Sequence, residues 1–173
     1  IDTRKNFEFK VGTFKDSINP KLNSFREFPK YFKSLNKNQE IGMFCTGGIR
    51  CEKASYYLRK QGFKNVYQLK GGIINYLDKI NKKASNWKGD CFVFDNRVSI
   101  KHSLKPGSLS ICAGCREPIT KNDTKSKNFE EGVSCPNCFN KLTNVQIKRF
   151  RMRQKQIKIA KSTGKKYFYQ REV

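Results

Sequence analysis

Phe25, Phe28, Phe32 and Leu35 recur at intervals of three and four, the spacing that lines one face of an α-helix. Ser24-Phe25-Arg26-Glu27 has the form of a capping box at the start of that stripe. The pattern predicts an amphipathic helix over 25–35, ended by Asn36-Lys37-Asn38. Residues 40–45 form a short apolar run suited to a buried strand, although periodicity alone does not separate it from helix. A glycine-containing turn over 45–50 leads into 51–61, which are mostly good helix formers, and Gly62 stands where a C-terminal cap glycine belongs. Residues 65–69 read as a second strand, followed by Gly71-Gly72 and a helix over 73–80. Strands alternating with helices predict parallel βαβ units and an α/β fold, a parallel sheet flanked by helices.

The pattern changes beyond residue 80. Residues 81–90 are polar and predict no element, 91–95 read as one more strand, and Pro106-Gly107-Ser108 marks a linker. Thr143-Asn144-Val145-Gln146 is a second capping box, opening a helix to about residue 162 with Gly164 as its stop. The expected organisation is an α/β domain over 1–98 whose first strand is cut short, a linker over 99–110, a small module over 111–142, and a basic helix and tail over 143–173. The chain begins Ile1-Asp2, not with methionine, and reads as a piece of a longer protein.

Charge alters the picture most at the C-terminal end. The 173 residues carry 37 Lys and Arg against 14 Asp and Glu, a net charge of +23. Residues 141–173 hold 11 basic and 1 acidic side chain, whereas 111–140 hold 4 of each. A polyanion, nucleic acid before membrane, is the partner that such a charge favours, because neutralised phosphates release counterions; the plainer reading is lysine spread over solvated faces. In the helix after Asn144 the candidate phosphate contacts are Lys148, Arg149, Arg151, Arg153, Lys155, Lys158 and Lys161, with Ile147, Phe150, Ile157 and Ala160 as an incomplete apolar stripe. Tyr167, Phe168 and Tyr169 are candidates for stacking on unpaired bases. No apolar run approaches the ~20 residues that cross a bilayer, so no membrane span is expected; the cysteine usage, poor for disulfides and good for metal, points to a reducing cytoplasm.

Seven cysteines suit metal and thiol chemistry better than disulfides. Cys112-x-x-Cys115 and Cys135-x-x-Cys138 are separated by 19 residues, the spacing of a closed, structural four-cysteine Zn²⁺ site, with Gly114 allowing the first tight turn. Cys45-Thr46-Gly47-Gly48-Ile49-Arg50 lies between a predicted strand and a predicted helix. Backbone N–H groups of Thr46, Gly47, Gly48 and Ile49, the helix dipole and the Arg50 charge together favour an anionic sulfur on Cys45, a thiolate or a persulfide. Cys51 is either a resolving thiol for Cys45 or an inward helix residue that never reacts. Cys91 reads as core. His102, the only histidine of the chain, reads as a surface residue, so a two-histidine, one-carboxylate iron site does not form within this chain. No dinucleotide fingerprint announces a flavin, and nothing marks the oxygen-donating cosubstrate that a hydroxylation would need.

Residues 45–50 resemble the active-site loop of rhodanese domains. The longer strings Cys45-Thr46-Gly47-Gly48-Ile49-Arg50-Cys51-Glu52-Lys53-Ala54 and Tyr67-Gln68-Leu69-Lys70-Gly71-Gly72-Ile73-Ile74 are similar to the rhodanese-related bacterial tRNA uridine hydroxylases. Ile1-Asp2-Thr3-Arg4, Gly12-Thr13-Phe14 and Phe25-Arg26-Glu27-Phe28-Pro29 follow that family in the same order, and 131–139 resemble the C-terminal region of one of its branches. The resemblance implies a rhodanese-like fold, a persulfide on Cys45, and an enzyme that installs a 5-hydroxyl on the wobble uridine of tRNA. It also implies a ferredoxin-like domain ahead of residue 1. With four residues between Cys45 and Arg50 the loop resembles those of sulfur-handling rhodaneses, not the longer loops of related phosphatases. Two other functions stay open: a sulfurtransferase passing sulfane sulfur through Cys45, and an RNA-binding module whose loop only holds an anion.

Overall fold

Residues 1–165 are described by the computed structural model. They fall into two units, 1–93 with 99–107, and 94–98 with the chain from 108 onward.

In the first unit the chain order is α1 (Asn6–Val11), β1 (Gly12–Phe14), α2 (Phe28–Phe32), β2 (Ile41–Met43), α3 (Ile49–Lys60), β3 (Val66–Gln68), α4 (Gly72–Lys79), β4 (Trp87–Gly89), β5 (Cys91–Phe92) and β6 (Ser99–Ile100). The expected βαβ unit is present: β2 and β3 pair in parallel, Ile41 beside Val66 and Met43 beside Gln68, with α3 as the crossover. The opposite edge of β2 is taken by the N-terminal segment through a parallel bridge between Asp2 and Phe44. There the Thr3 N–H donates to the Phe44 carbonyl at 3.0 Å and the Phe44 N–H to the Ile1 carbonyl at 3.1 Å. Side chains alternate across the strand and serve two cores. Ile41 and Met43 pack with Phe28, Phe32, Ala54, Leu58 and Val66, whereas Phe44 packs with Ile73, Leu77, Trp87, Val93 and Ile100.

Several local expectations change once the chain is folded. The 25–35 stripe does face the core, but it is carried by a 3-10 turn over Phe25–Glu27 and the single short helix α2. Pro29 lacks an N–H and fits only the first turn of a helix, so the helix restarts there. The capping box at Ser24 is not made: its hydroxyl accepts from the Arg26 N–H, and Glu27 turns back to the Asn23 N–H. The polar stretch 81–90 contains β4, antiparallel to β1 with Phe14 opposite Trp87. The strand expected over 91–95 stops at Phe92 and pairs antiparallel with β6. The expected linker 99–110 thus opens with a strand, and its residues up to Gly107 stay with the first unit.

β4 is a strand because of what holds it from outside. The Asp2–Arg4 pair is fully buried at 2.6 Å, Arg4 also donates to the Gly12 carbonyl at 2.6 Å, and its guanidinium lies 5.2 Å from the centre of the Trp87 ring. Desolvating that pair is offset by its bidentate geometry and by the aromatic face.

The second unit has a small antiparallel pair, β7 (Ser110–Ile111) with β8 (Pro118–Ile119), and one long helix, α5 (Asn144–Ser162). The capping box at its start is made in both directions, Gln146 N–H to Thr143 Oγ1 at 3.2 Å and Thr143 N–H to Gln146 Oε1 at 2.8 Å. Phe150 is the buried anchor of the helix, and the stop at Gly164 has a left-handed φ of +66°. Tyr167, Phe168 and Tyr169 lie outside the described residues.

Candidate active site and metal centre

The Cys45 loop is built from three sides. β2 delivers Cys45 at its C-terminal end, and α3 begins at Ile49, two residues earlier than its sequence suggests, so that Arg50 and Cys51 belong to the first helical turn. Gly48 caps that helix with φ +93°, a conformation that side-chain-bearing residues avoid. From the far side α4 braces the loop: its Ile73 and Ile74 N–H groups donate to the carbonyls of Cys45 and Thr46 at 3.0 and 3.1 Å. Gly72 is what permits that approach, since a Cβ there would meet both carbonyl oxygens at 2.6 Å.

Cys45 is 2% exposed, and the Gly48 N–H donates to its sulfur at 3.1 Å. Its thiol is pulled down to about 5, first by a hydrogen bond from the Cys51 thiol, then by the backbone N–H groups of Cys51 and Arg50, and last by the Arg50 charge; burial opposes the shift. Cys51 is pushed up as its counterpart, because it keeps the proton that it donates to Cys45 and is itself buried. Thr3 Oγ1 lies 3.5 Å from the Cys51 sulfur. Within the six-residue stretch 45–50 and Cys51 the structure therefore pairs one anionic sulfur with one protonated neighbour.

Arg50 adds its backbone N–H and its charge to that shift, while its side chain is held by an acid. Its guanidinium makes a two-point contact with Glu8, Nη1 to Oε2 at 2.9 Å and Nη2 to Oε1 at 3.0 Å. Glu8 is 0% exposed and was not among the sequence candidates. The available signal was slight: one acid between Phe7 and Phe9 in a chain short of acids.

The second site is the set Cys112, Cys115, Cys135 and Cys138, whose sulfurs all lie within 4.8 Å of one another and which can hold a metal ion. Cys112 to Cys138, Cys115 to Cys135 and Cys135 to Cys138 are each 3.8 Å apart. Four sulfurs at about 2.3 Å from a tetrahedral Zn²⁺ stand about 3.8 Å apart, so the donor set fits. Backbone N–H groups turn toward the sulfurs as well, Gly114 and Cys115 toward Cys112 and Cys135 toward Cys138. Gly114 is required for closeness more than for a turn, since a Cβ there would fall on the Val133 carbonyl oxygen; the left-handed residue of that knuckle is Arg116, φ +64°.

Of the seven candidate phosphate contacts on α5, Lys161 is exposed in the last turn and the other six divide into two sets. Arg153 donates to the Ala113 and Gly132 carbonyls, both at 2.9 Å, clasping the two cysteine knuckles. Arg151 forms a two-point pair with Glu130 at 2.7 Å, and Lys158 lies 3.4 Å from Glu131. Lys148, Arg149 and Lys155 are exposed on the other face, together with Val145, Met152 and Ile159. Cys91 is 0% exposed, and burial pushes its thiol up to about 12, as fits a core residue.

A thiol loop closing a parallel strand and opening a helix is the arrangement of a rhodanese-like domain, and residues 1–79 match the Rhodanese-like domain family. Over 172 residues, 99% of its length, the chain is 63% identical to "tRNA uridine(34) hydroxylase" of Pelagibacter ubique (strain HTCC1062). The chain spans 57% of that relative's length. The crystal structure of the Alr3790 protein from Anabaena sp. is 21% identical, with a TM-score of 0.41 covering 56% of this chain and 78% of that one, a likeness too distant to bear on function.

Proposed function

We propose that the chain is part of an enzyme that forms 5-hydroxyuridine at the wobble uridine of tRNA, with Cys45 as its reactive, persulfide-type cysteine. The observation that carries this is the 63% identity to a protein named tRNA uridine(34) hydroxylase, over a match of 172 residues that takes in both the Cys45 loop and α5. The geometry adds a chemical reason: a sulfur anion on Cys45 is held by Gly48, Arg50 and Cys51 N–H groups, with the fully buried Cys51 thiol beside it as hydrogen-bond donor. Thr46, Gly47 and Ile49 complete the loop backbone.

The four-cysteine set is assigned a structural Zn²⁺, whose chemistry here is to join two knuckles through four thiolates with no open coordination position. The RNA-facing residues are assigned to the outer face of α5, Lys148, Arg149 and Lys155, because Arg151, Arg153 and Lys158 are engaged within their own unit. The protein acts in the cytoplasm, where tRNA is modified; no helix among the described residues is long and apolar enough to cross a membrane.

The test is nucleoside mass spectrometry of tRNA from cells lacking the gene, complemented with the full-length wild type or with Cys45→Ser. The expected result is loss of 5-hydroxyuridine and its derivatives, restored by the wild type alone. Wild-type levels of 5-hydroxyuridine in the Cys45→Ser strain would overturn the role of Cys45. The low-lying Cys45 thiol also suits the second reading, sulfur transfer, which predicts thiocyanate release from thiosulfate and cyanide with 5-hydroxyuridine unaffected by the deletion.

A further inference from the structure

We propose that Glu8 is a positioning residue for the Cys45 loop: its carboxylate holds the Arg50 guanidinium in a closed ion pair, leaving the sulfur anion to backbone N–H donors and the Cys51 thiol. This rests on the reading of Cys45 as the reactive thiol. A carboxylate has about four acceptor positions, and all four of Glu8 are taken. Oε2 accepts from Arg50 Nη1 at 2.9 Å and from the Lys5 N–H at 3.0 Å; Oε1 accepts from Arg50 Nη2 at 3.0 Å and from Thr46 Oγ1 at 3.4 Å. The carboxylate is fixed to its own helix, α1, to the catalytic loop and to the first turn of α3. It cannot swing away without opening the turn that it caps.

The chemical reason lies in the strength of a thiolate's partners. A sulfur anion in direct contact with a guanidinium is more stable and a weaker nucleophile, since thiol nucleophilicity falls with thiol acidity with a Brønsted slope of about 0.4–0.5. Glu8 balances the Arg50 charge, so the pair as a whole is neutral and the guanidinium is left as the last and smallest of the influences that lower Cys45. Of the other charged and titratable groups near the loop, Cys51 on α3 keeps its proton, Cys91 on β5 is a buried thiol pushed up by desolvation, Asp2 and Arg4 on the N-terminal segment close on each other at 2.6 Å, and the Ile1 ammonium faces Asp2 and Cys51 and donates to the Gly42 carbonyl at 2.7 Å. Arg50 is then free to contribute its backbone N–H to the sulfur and its side chain to the shape of the loop.

The experiment follows alkylation of Cys45 by iodoacetamide against pH in the full-length protein, read by mass spectrometry of the Cys45 peptide. Glu8→Gln keeps the shape and removes the charge. Its expected effect is a lower pH of half-maximal rate and a lower plateau, about threefold for each pH unit that the midpoint falls. Glu8→Asp is expected to return both toward wild type, and Arg50→Gln to raise the midpoint. An unchanged or raised midpoint in folded Glu8→Gln overturns the proposal. Should that variant not fold, Glu8→Gln with Arg50→Gln removes the pair as a neutral unit. A wild-type midpoint is then expected, and one displaced as far as in Arg50→Gln alone overturns the proposal. A wild-type Cys45 that titrates in the ordinary thiol range sinks the reactive-cysteine reading instead, whatever Glu8→Gln does.

Discussion

The two cysteine sites of this chain handle negative sulfur in opposite ways. At Cys45 a single anion is stabilised by hydrogen-bond donors, one of them a second thiol that must stay protonated for the arrangement to work. In the four-cysteine centre the sulfurs stand 3.8 Å apart in three pairs, too close for four anions without a cation among them. Backbone N–H groups point at sulfur in both places, so the donors alone do not decide which site is reactive. On the proposed assignment, what differs is whether the charge is left on one atom, where it would be able to attack, or would be shared with a metal that ties two segments of chain together.

That contrast is most exposed to failure at the metal. Removing the ion with a strong chelator, or substituting Cys135→Ser, is expected to unfold the second unit while the Cys45 loop keeps its low thiol midpoint. Apparent binding energies for structural zinc of about 10–16 kcal/mol make this the largest effect. Elemental analysis is expected to find one zinc per chain, and limited proteolysis after chelation to cut the second unit. A protease-resistant, metal-free second unit would end the comparison.

Next in size is Gly72→Ala, which places a Cβ on the Cys45 and Thr46 carbonyls in a left-handed backbone. Its expected cost is about 2–4 kcal/mol by urea denaturation of the first unit. Arg153→Ala is expected to cost about 1–3 kcal/mol in the second, because two knuckle carbonyls lose their donor. Arg151→Ala, which breaks only an exposed pair, is expected to leave the denaturation midpoint unchanged; equal losses for the two arginines would show that the clasp is no better than a surface contact.

The smallest effect sharpens the loop itself. Cys51→Ala removes the first cause of the Cys45 shift and is expected to raise the midpoint of Cys45 alkylation by about one pH unit, about 1.4 kcal/mol. Cys51→Ser keeps a donor and is expected to stay near wild type. The corresponding stability has a definite sign. Because the folded value of Cys45 lies below the unfolded one, its stabilisation is complete above about pH 8.5, declines as the pH falls, and is lost below about 5. Cys45→Ser is expected to flatten that part of the stability profile.

Signals that lie within a few residues of one another were legible in the sequence. The βαβ alternation, the Cys45 loop, the paired Cys-x-x-Cys knuckles and the box at Thr143 are each set by neighbours along the chain, and each is present in the structure. What was not legible depends on distant partners. β4 is a strand because β1, 73 or more residues away, lies beside it. Arg50 has a buried acid for a partner because α1 docks against the loop. The helix expected over 25–35 failed for a local reason that outranked periodicity, the missing N–H of Pro29. On α5 composition marked every basic side chain alike, and only the fold separates those that clasp the knuckles from those facing outward.

The contact between Glu8 and Arg50 spans 42 positions of chain, and the braces from Ile73 and Ile74 reach back across 28. Pairings of such separation form late in folding, since the intervening chain must lose its freedom first. During synthesis, the groups that lower the Cys45 thiol, on Arg50 and Cys51, would emerge together with it but with nothing to hold them in place. The loop would take its fixed shape only when the helix beginning at Gly72 has emerged and its N–H groups have reached the Cys45 and Thr46 carbonyls, so that the site is locked from behind before it is complete in front.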